Sequence, residues 1–588
     1  MMQTKDNLFD YYQQELEFLR KFSRQFAQAH PAAAGRLIAN NAHPDPFTDR
    51  VIEAIGLLNA RNHLKLDAEF SETCAALLEC IAPQSLAPVP AMSIVQFTPE
   101  ATNTTVNIPA KSVLTSTTLM GKPCYFTTGF DTECHPLGIT KIHLSTDIPI
   151  LSNKLYTSKS YQSSLCIQLE SPAKINLNHI RFFIHAQPAY AYMFYELLFK
   201  NTQTIILADS ADDRNPVILN KNYLKADGFD PEQCLLPYYP RQSREHILLA
   251  EFFNCPEKFL FFSLCNLENF LIQKNTQSLF IYILFDTVNN QLEKHLTPDF
   301  LALNCTPVIN IFPALSEPIH INHTQNEYLL RARLDHHPIV TEIYNIQEIS
   351  AYNTQNQEVL FHPPYHPSSH IHHFYHLIRR ATPQSEIYLA FSTNYPKLFY
   401  NQEWIASAKI LCTNRHLVSQ LPYGGNLPHI YFQDKNHQTH MSNIKILIPF
   451  TAVKDMPLDH ESIIHRLLST LFIYQSPRDF LSFQRTVQLF ESNHPLLSAI
   501  VNLEYHFAQH RIHTRDIGHA IINGTDINIQ IDAGKISQSQ AFFFCSILER
   551  YFAFQTDINA YTSLILINLQ QEEIYRWPLR CGEIEINA

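Results

Sequence analysis

Apolar side chains recur at every third or fourth position through the first eighty residues, then mostly at every second position, so the chain opens helical and continues extended. In DNLFDYYQQELEFLRKFSRQFAQAHP, residues Phe9, Tyr12, Leu16, Leu19, Phe22 and Phe26 fall three or four apart, which puts all six on one face of an α-helix. Charged and amide side chains take the other face. Asp6 or Asn7 caps the start by accepting a hydrogen bond from a free backbone N–H, and Pro31 ends the helix near His30 after about 36 Å, at about 1.5 Å per residue. A second helix is predicted in PDPFTDRVIEAIGLLNARNHLKLDAEF, with Asp45 as cap and Pro46 at the first helical position, where a missing N–H costs nothing. Val51, Ile55 and Leu58 give it an apolar edge. A third, short helix is predicted in SETCAALLECIAP, capped by Ser71, with Cys74, Leu77, Leu78 and Ile81 inward and Pro83 as its stop.

Past the proline-rich exit at 83–90 the period shortens to two. MSIVQF, TTVNIP, KSVLTS, SSLCIQLES and RFFIHA read as strands, interrupted by one helix, PAYAYMFYELLFKN, in which Tyr192, Tyr195, Leu198 and Phe199 recur at helical spacing. HILLAEFF is predicted as a helix and KFLFFSL as a fully buried strand, with Pro237, Tyr238, Tyr239 and Pro240 as a stiff connector before them. Pro307 and Pro313 bracket the run Val308–Phe312, which argues for an edge strand or one entered through a turn. Gly424 and Gly425 supply positive φ for a turn after KILCTN, and HIYF and IKILIPF are further strands. From 459 the helical period returns. HESIIHRLLSTLFIY, SPRDFLSFQRTVQLF (Ser476 as cap, Pro477 at the first position, Phe480, Phe483, Val487 and Phe490 inward) and LLSAIVNLEYHFAQ are predicted as three helices. TDINIQID follows as a strand, and SQAFFFCSILERYFAFQTDINAYTSLIL as a helix and then a strand.

Composition narrows the function classes. Over 588 residues, 45% hydrophobic and 16% charged describe a folded chain of several domains. Lys plus Arg number 43 against 54 Asp plus Glu, a net charge of −11 with no basic run, so an electrostatic nucleic-acid footprint is not expected. The 12 cysteines are scattered without a CxxC pair and read as buried free thiols in a reducing compartment. The N-terminal residues lack the pattern of a signal peptide, and the longest apolar runs, such as SLFIYILF, are far shorter than the roughly 20 residues that span a bilayer. A soluble, cytoplasmic protein is the expectation.

Three places invite a chemical reading. His362, His366, His370, His372, His373 and His376 fall within fifteen residues, and a cluster of neutral imidazoles can hold zinc, copper or nickel. Were the segment after Ser369 helical, His372 and His376 would share a face. In HESIIH the two histidines, His460 and His465, are five apart and so about 140° apart around a helix, which does not make a zinc-protease grip. Cys305 has no base or acid at an informative spacing and reads as a buried structural thiol. Walker, GxGxxG and GxSxG motifs are absent, and 12 glycines leave little room for one. No catalytic residue and no cofactor are expected. Two tryptophans in 588 residues also argue against a carbohydrate platform.

The phrases YYQQELEFLRKFSRQFAQAHPAAAGRL, RVIEAIGLLNARNHLKLDAEF and PQSLAPVPAMSIVQF resemble the start of TssF, the baseplate subunit of bacterial type VI secretion systems also called ImpG or VasA. Similar stretches follow in order: the YELL helix, GFDPEQCLLPYYPRQSREHILLAEFFNCPEKFLFFSL, residues 303–334 and KILCTNRHLVSQLPYGGN. The end is similar too, with counterparts of an LERFFA-like helix, a SINSFT-like phrase and an RWP at Leu548–Ala553, Asp557–Thr562 and Arg576–Pro578. The chain departs most from the family pattern over 435–530.

That resemblance implies a structural wedge subunit rather than an enzyme. Two TssF copies and one TssG would form a wedge touching TssK and TssE, with wedges around the VgrG spike hub docked on the cytoplasmic face of the inner-membrane complex, supporting sheath and tube assembly and triggering contraction. The arm is then expected to enter a helical bundle with its partners through Phe9, Tyr12, Leu16, Leu19, Phe22 and Phe26, with 83–90 as a hinge. The fold class expected is α+β and multidomain: a helical arm (1–90), strand-rich domains with inserted helices (91–330), a second strand-rich domain (331–455) and a C-terminal α+β domain (456–588). The alternative from another class is a metal-dependent protein using the His362–His376 cluster.

Overall fold

The structure, a computed structural model, describes residues 3–30, 46–81, 83–99, 105–116, 123–147, 161–172, 175, 177–210, 213, 215–237, 244–268, 277–333, 341–364, 372–380, 386–394, 403–425, 430–432, 441–455, 460–473, 480–491, 494–514, 518–570 and 572–583. The fold is α+β, in two compact units: Met1–Leu86 with Pro457–Leu468, and Ala87–Met456 with Ser469–Ala588. The expected features at Pro31, Asp45, Tyr238 to Pro240, Ser476 and Pro477 lie outside the described residues.

The first unit is built on two long helices, α1 (Gln3–Ala29) and α2 (Pro46–Ile81). The sequence predicted two helices in 46–81; there is one, of 36 residues and about 54 Å at about 1.5 Å per residue. Ser71 does not cap a new helix because neither glycine nor proline interrupts the chain near it. Thr73 Oγ1 instead donates to the Glu69 carbonyl at 3.0 Å, the back-bond of a residue inside a continuous helix. Near the end of α2, Cys74, Leu78 and Leu86 form a small core with Ile463 and Leu467, and Arg466 Nη1 donates to the Ser85 carbonyl at 2.8 Å.

The second unit is layered from sheets. In a six-stranded sheet, Cys305–Ile309 lies between Tyr125–Thr128 and Met92–Pro99. This corrects the expectation of an edge strand. Pro307 is tolerated centrally because the ladder to Tyr125–Thr128 covers only Val308 and Ile309 and stops where the proline has no N–H to give. Its carbonyl still accepts from Gly129 N at 2.8 Å. Pro313 does lie on an edge strand, Phe312–Leu315. A separate core forms between residues 312 and 412, around Ile349, Ala406 and Ile410.

The predicted helix Pro188–Asn201 forms over all fourteen residues of the phrase, and its Tyr195 packs edge-on against Phe543 of helix Gln538–Phe554 at 5.0 Å. That helix, capped by Ser537 Oγ accepting from Gln540 N, crosses between the parallel strands Gly518–Ile531 and Tyr561–Ile567. The expected helix LLSAIVNLEYHFAQ is mostly strand: Pro495–Ala499 is one helical turn, and Ile500–Thr514 pairs along Gly518–Ile531. The reason is visible in the run itself, where Leu503, Tyr505 and Phe507 alternate with Glu504 and His506 at period two.

Helix Arg244–Asn254 and strand Phe261–Leu264 form as expected and enclose a buried ion pair. Lys258 Nζ meets Glu251 Oε2, and Glu251 Oε1 accepts from Leu235 N at 2.7 Å and Leu236 N at 2.8 Å. Both charges are shut away from water, so neither can lose its partner cheaply. Lys258→Met should lower unfolding stability by about 3–5 kcal/mol in denaturant titration, while the double variant with Glu251→Gln loses less than the sum of the singles. A single-variant loss below about 1 kcal/mol would contradict this reading.

Candidate partner-binding face

The two arm helices run antiparallel. Tyr11 Oη donates to Asp67 Oδ2 (2.5 Å), Glu15 meets Asn59 Nδ2 (3.3 Å) and His63 Nε2 (3.6 Å), and Arg20 faces Asp49 (3.7 Å). They pack closely at Gly56, where a Cβ would stand 3.3 Å from Leu16 Cδ2 and 3.7 Å from Tyr12 Cε2. Of the six arm residues singled out from the sequence, Tyr12 and Leu16 therefore pack against α2, and Leu19 is half-buried with them. Phe9, Phe22 and Phe26 are exposed.

The exposed apolar surface is larger than the six residues suggest. Phe18, Phe22 and Phe26 stand four apart on one line of α1, each more than 40% exposed, with the Phe18 and Phe22 rings stacked at 6.3 Å. On α2, Phe47, Val51, Ile55, Leu58, Leu66, Phe70 and Leu77 recur at spacings that hold them to one drifting stripe, all exposed, Phe47 at 77%. Phe18 and the length of the α2 stripe were missed in the sequence because a periodic set gives a face but not which face a neighbour already covers. Exposed apolar stripes of this kind are a candidate interaction surface.

The chemical candidates do not assemble. Residues 373–380 are a strand rather than a helix, paired with Glu386–Thr393 so that His373 faces Thr393 and His376 faces Ala390. Four residues on a strand separate His372 from His376 by roughly 13 Å, too far for one ion. His366 and His370 lie outside the described residues, and among those described no group of three His, Cys, Asp or Glu could hold a metal. Around Glu133, His135 Nε2 (3.4 Å) and His179 Nδ1 (3.7 Å) converge, a grouping the sequence does not signal. Burial lowers both imidazoles, and the adjoining cavity of about 10 Å³ has room only for a water. Cys305 is buried with its sulfur 3.3 Å from the Leu303 carbonyl oxygen, and burial pushes its thiol well above the usual range. His460 and His465 sit on helix His460–Ile473, as the spacing argument assumed.

The family model described as "Type VI secretion system, TssF" matches residues 4–584. The chain belongs to the TssF family. It is 25% identical to type VI secretion system component TssF1 of Pseudomonas aeruginosa, across 98% of each protein. It shares its fold with a chain in a cryo-electron-microscopy structure of a TssK-TssF-TssG baseplate subcomplex, at a TM-score of 0.70 and 20% identity, covering 92% of this chain and 100% of that one. A chain of a type VI secretion system baseplate complex matches at a TM-score of 0.56 and 19% identity, over 98% and 99%. Among the described residues of this TssF-family chain, no helix is long and apolar enough to cross a membrane.

Burial raises the thiols of Cys124 to about 11 and of Cys134 and Cys412 to about 12, so each stays neutral and unreactive at pH 8. Cys581 is exposed. Titration of the native chain with a chromogenic disulfide reagent at pH 8 should therefore show a fast equivalent that Cys581→Ser removes. Cys124, Cys134, Cys305 and Cys412 should react only after unfolding. Fast modification of Cys305 would restore it as a candidate nucleophile.

Proposed function

We propose that this chain is a structural wedge subunit of a type VI secretion baseplate and carries no catalytic activity of its own. The observation that carries the reading is the pairing of a family match over residues 4–584 with an arm whose two helices leave long apolar stripes exposed. The arm joins a helical bundle with a TssG-family protein and a second copy of this chain, burying Phe9, Phe18, Phe22 and Phe26 of α1 and the Phe47–Leu77 stripe of α2. Tyr12, Leu16 and Leu19 serve that interface from behind, holding α1 on α2. TssK, named with TssF and TssG in the matching subcomplex, is the next partner. TssE, the VgrG hub and the membrane complex complete the assembly, which sits at the cytoplasmic face of the inner membrane and supports sheath assembly and contraction.

Removing the exposed aromatic rings from water favours association against the entropy lost on binding, and a buried unpaired charge opposes it, so a charge in the stripe should break the complex without unfolding the arm. Co-expression with the TssG-family protein of the same organism, followed by size exclusion with mass determination, should give a stable complex holding two copies of this chain. Phe22→Asp with Phe70→Asp should abolish that complex while leaving the helical circular-dichroism signal in place. An unchanged complex in the double variant, or a monomer indifferent to the partner in the natural chain, would overturn the proposal.

A further inference from the structure

The C-terminal sheet has two unlike faces. Its strands run in the order Ile500–Thr514, Gly518–Ile531, Tyr561–Ile567, Glu573–Arg576. Leu503, Ile527, Leu564 and Leu566 belong to the core that also holds helix Gln538–Phe554. The alternate residues make the other face, because partners across a ladder share a side: Glu504 lies opposite Asn528, Asn528 beside Ile565, and Ile565 opposite Arg576. Across these four strands runs a groove of about 320 Å³, with Ile565 and Ile567 as its apolar part.

The polar side chains of this face have spent donors and kept acceptors. Asn502 Nδ2 donates to Glu504 Oε1 at 2.9 Å, and Gln530 Nε2 donates to the carbonyls of Asn568 and Leu569 at 3.4 and 3.3 Å. Arg576 is turned onto Glu573, with Nη2 3.0 Å from Oε2 and Nε 3.3 Å from Oε1. Asn528 Oδ1, in the groove, is buried and has no hydrogen-bond partner among the described residues, and the same holds along this face for Asp526 Oδ1, Ser563 Oγ and Tyr561 Oη. Ser563 is 1% exposed, and the buried Tyr561 lies over Gly524, where a Cβ would meet its ring. Asp526 faces His510 at 3.6 Å without a hydrogen bond. Buried polar atoms are nearly always hydrogen-bonded, so four unsatisfied oxygens on one sheet face point to a ligand that donates. The carboxylates of Glu504, Asp526 and Glu573 stand against the one guanidinium of Arg576, so the face favours a cation.

We propose that this face binds an arginine side chain of a partner protein, its guanidinium received by Glu504, Asp526 and Asn528 and its methylenes laid along Ile565 and Ile567. A guanidinium presents five N–H donors in one plane and no acceptor, which suits a row of acceptors better than the point charge of an ammonium does. Glu504 and Asn528, directly opposite in the ladder, stand about 5 Å apart at Cβ, a spacing that one planar fork can bridge. The apolar stem of the arginine matches the two isoleucines. Arg576 shows what the face already favours: its hydrogen bonds to Glu573, with the charges of Glu573 and Asp526, hold that guanidinium above its ordinary value. The proposal does not depend on the role given to the helical arm.

Fluorescence anisotropy of the full chain at low salt, with a labelled glycine-serine peptide carrying two arginines, tests the proposal. The peptide should bind saturably, and the same peptide with citrulline in place of arginine, equal in shape but uncharged, should bind about tenfold more weakly. Glu504→Gln combined with Asp526→Asn should weaken binding about fivefold, whereas Arg576→Gln, which releases Glu573, should tighten it about threefold, a gain that misfolding cannot produce. Glu348→Gln, which neutralises an exposed carboxylate on a different sheet, should leave binding unchanged. The proposal is overturned if the arginine peptide does not bind, if the citrulline peptide binds as tightly, if Arg576→Gln brings no gain, or if Glu348→Gln weakens binding as much as the double variant. Displacement of the peptide by an equal concentration of spermidine would also overturn it, assigning the face to small polyamines instead.

Discussion

Two helices packed side by side can bury only one stripe each, and this limit governs the arm. Packing at Gly56 takes up Tyr12 and Leu16, and the polar contacts of Tyr11, Glu15 and Arg20 fix the antiparallel register. Among the described residues, Phe18, Phe22, Phe26 and the stripe from Phe47 to Leu77 stay exposed on these two helices. Isolated helices draw most of their stability from tertiary packing of an apolar face. On the reading proposed above, further helices packed against the arm cover these stripes, and assembly then contributes to the arm's stability.

The second unit has the opposite economy. Aromatic side chains from helices Pro188–Asn201, Arg244–Asn254 and Gln538–Phe554 meet in one core, with Tyr192 stacked on Phe543 at 4.8 Å and Phe252 on Phe544 at 5.4 Å. The Glu251–Lys258 pair is sealed inside it. In this unit burial lowers the His246 imidazole and raises the Cys255 thiol, so desolvation holds both neutral and chemically quiet. The cysteines and the histidine-rich segment, suggestive in a linear reading, owe their placement to packing and strand pairing.

Much of this was legible in the sequence. The Pro188–Asn201 helix, the positive φ of Gly424 and Gly425, and the buried strand Phe261–Leu264 followed from period and turn chemistry. The failures share a cause: local signals were outweighed by what lies elsewhere in the chain. Ser71 looks like a cap until α2 continues through it. Pro307 looks like an edge residue until Gly129 supplies the donor its carbonyl needs. The helix expected from Leu496 stops after the turn Pro495–Ala499, and Ile500–Thr514, whose apolar side chains alternate, goes on as a strand paired with Gly518–Ile531. At the candidate site, periodicity identified the apolar face of α1, but the division between Leu16, spent on α2, and Phe22, left open, depends on a partner helix forty residues away.

Hydrogen–deuterium exchange of the full chain, alone and in complex with the TssG-family protein, tests the central claim most directly. The account predicts slow exchange in core strands such as Ser278–Phe285 in both states, and a marked gain of protection on binding across α1 and α2. Equal exchange of the arm in the free and bound chain would contradict it.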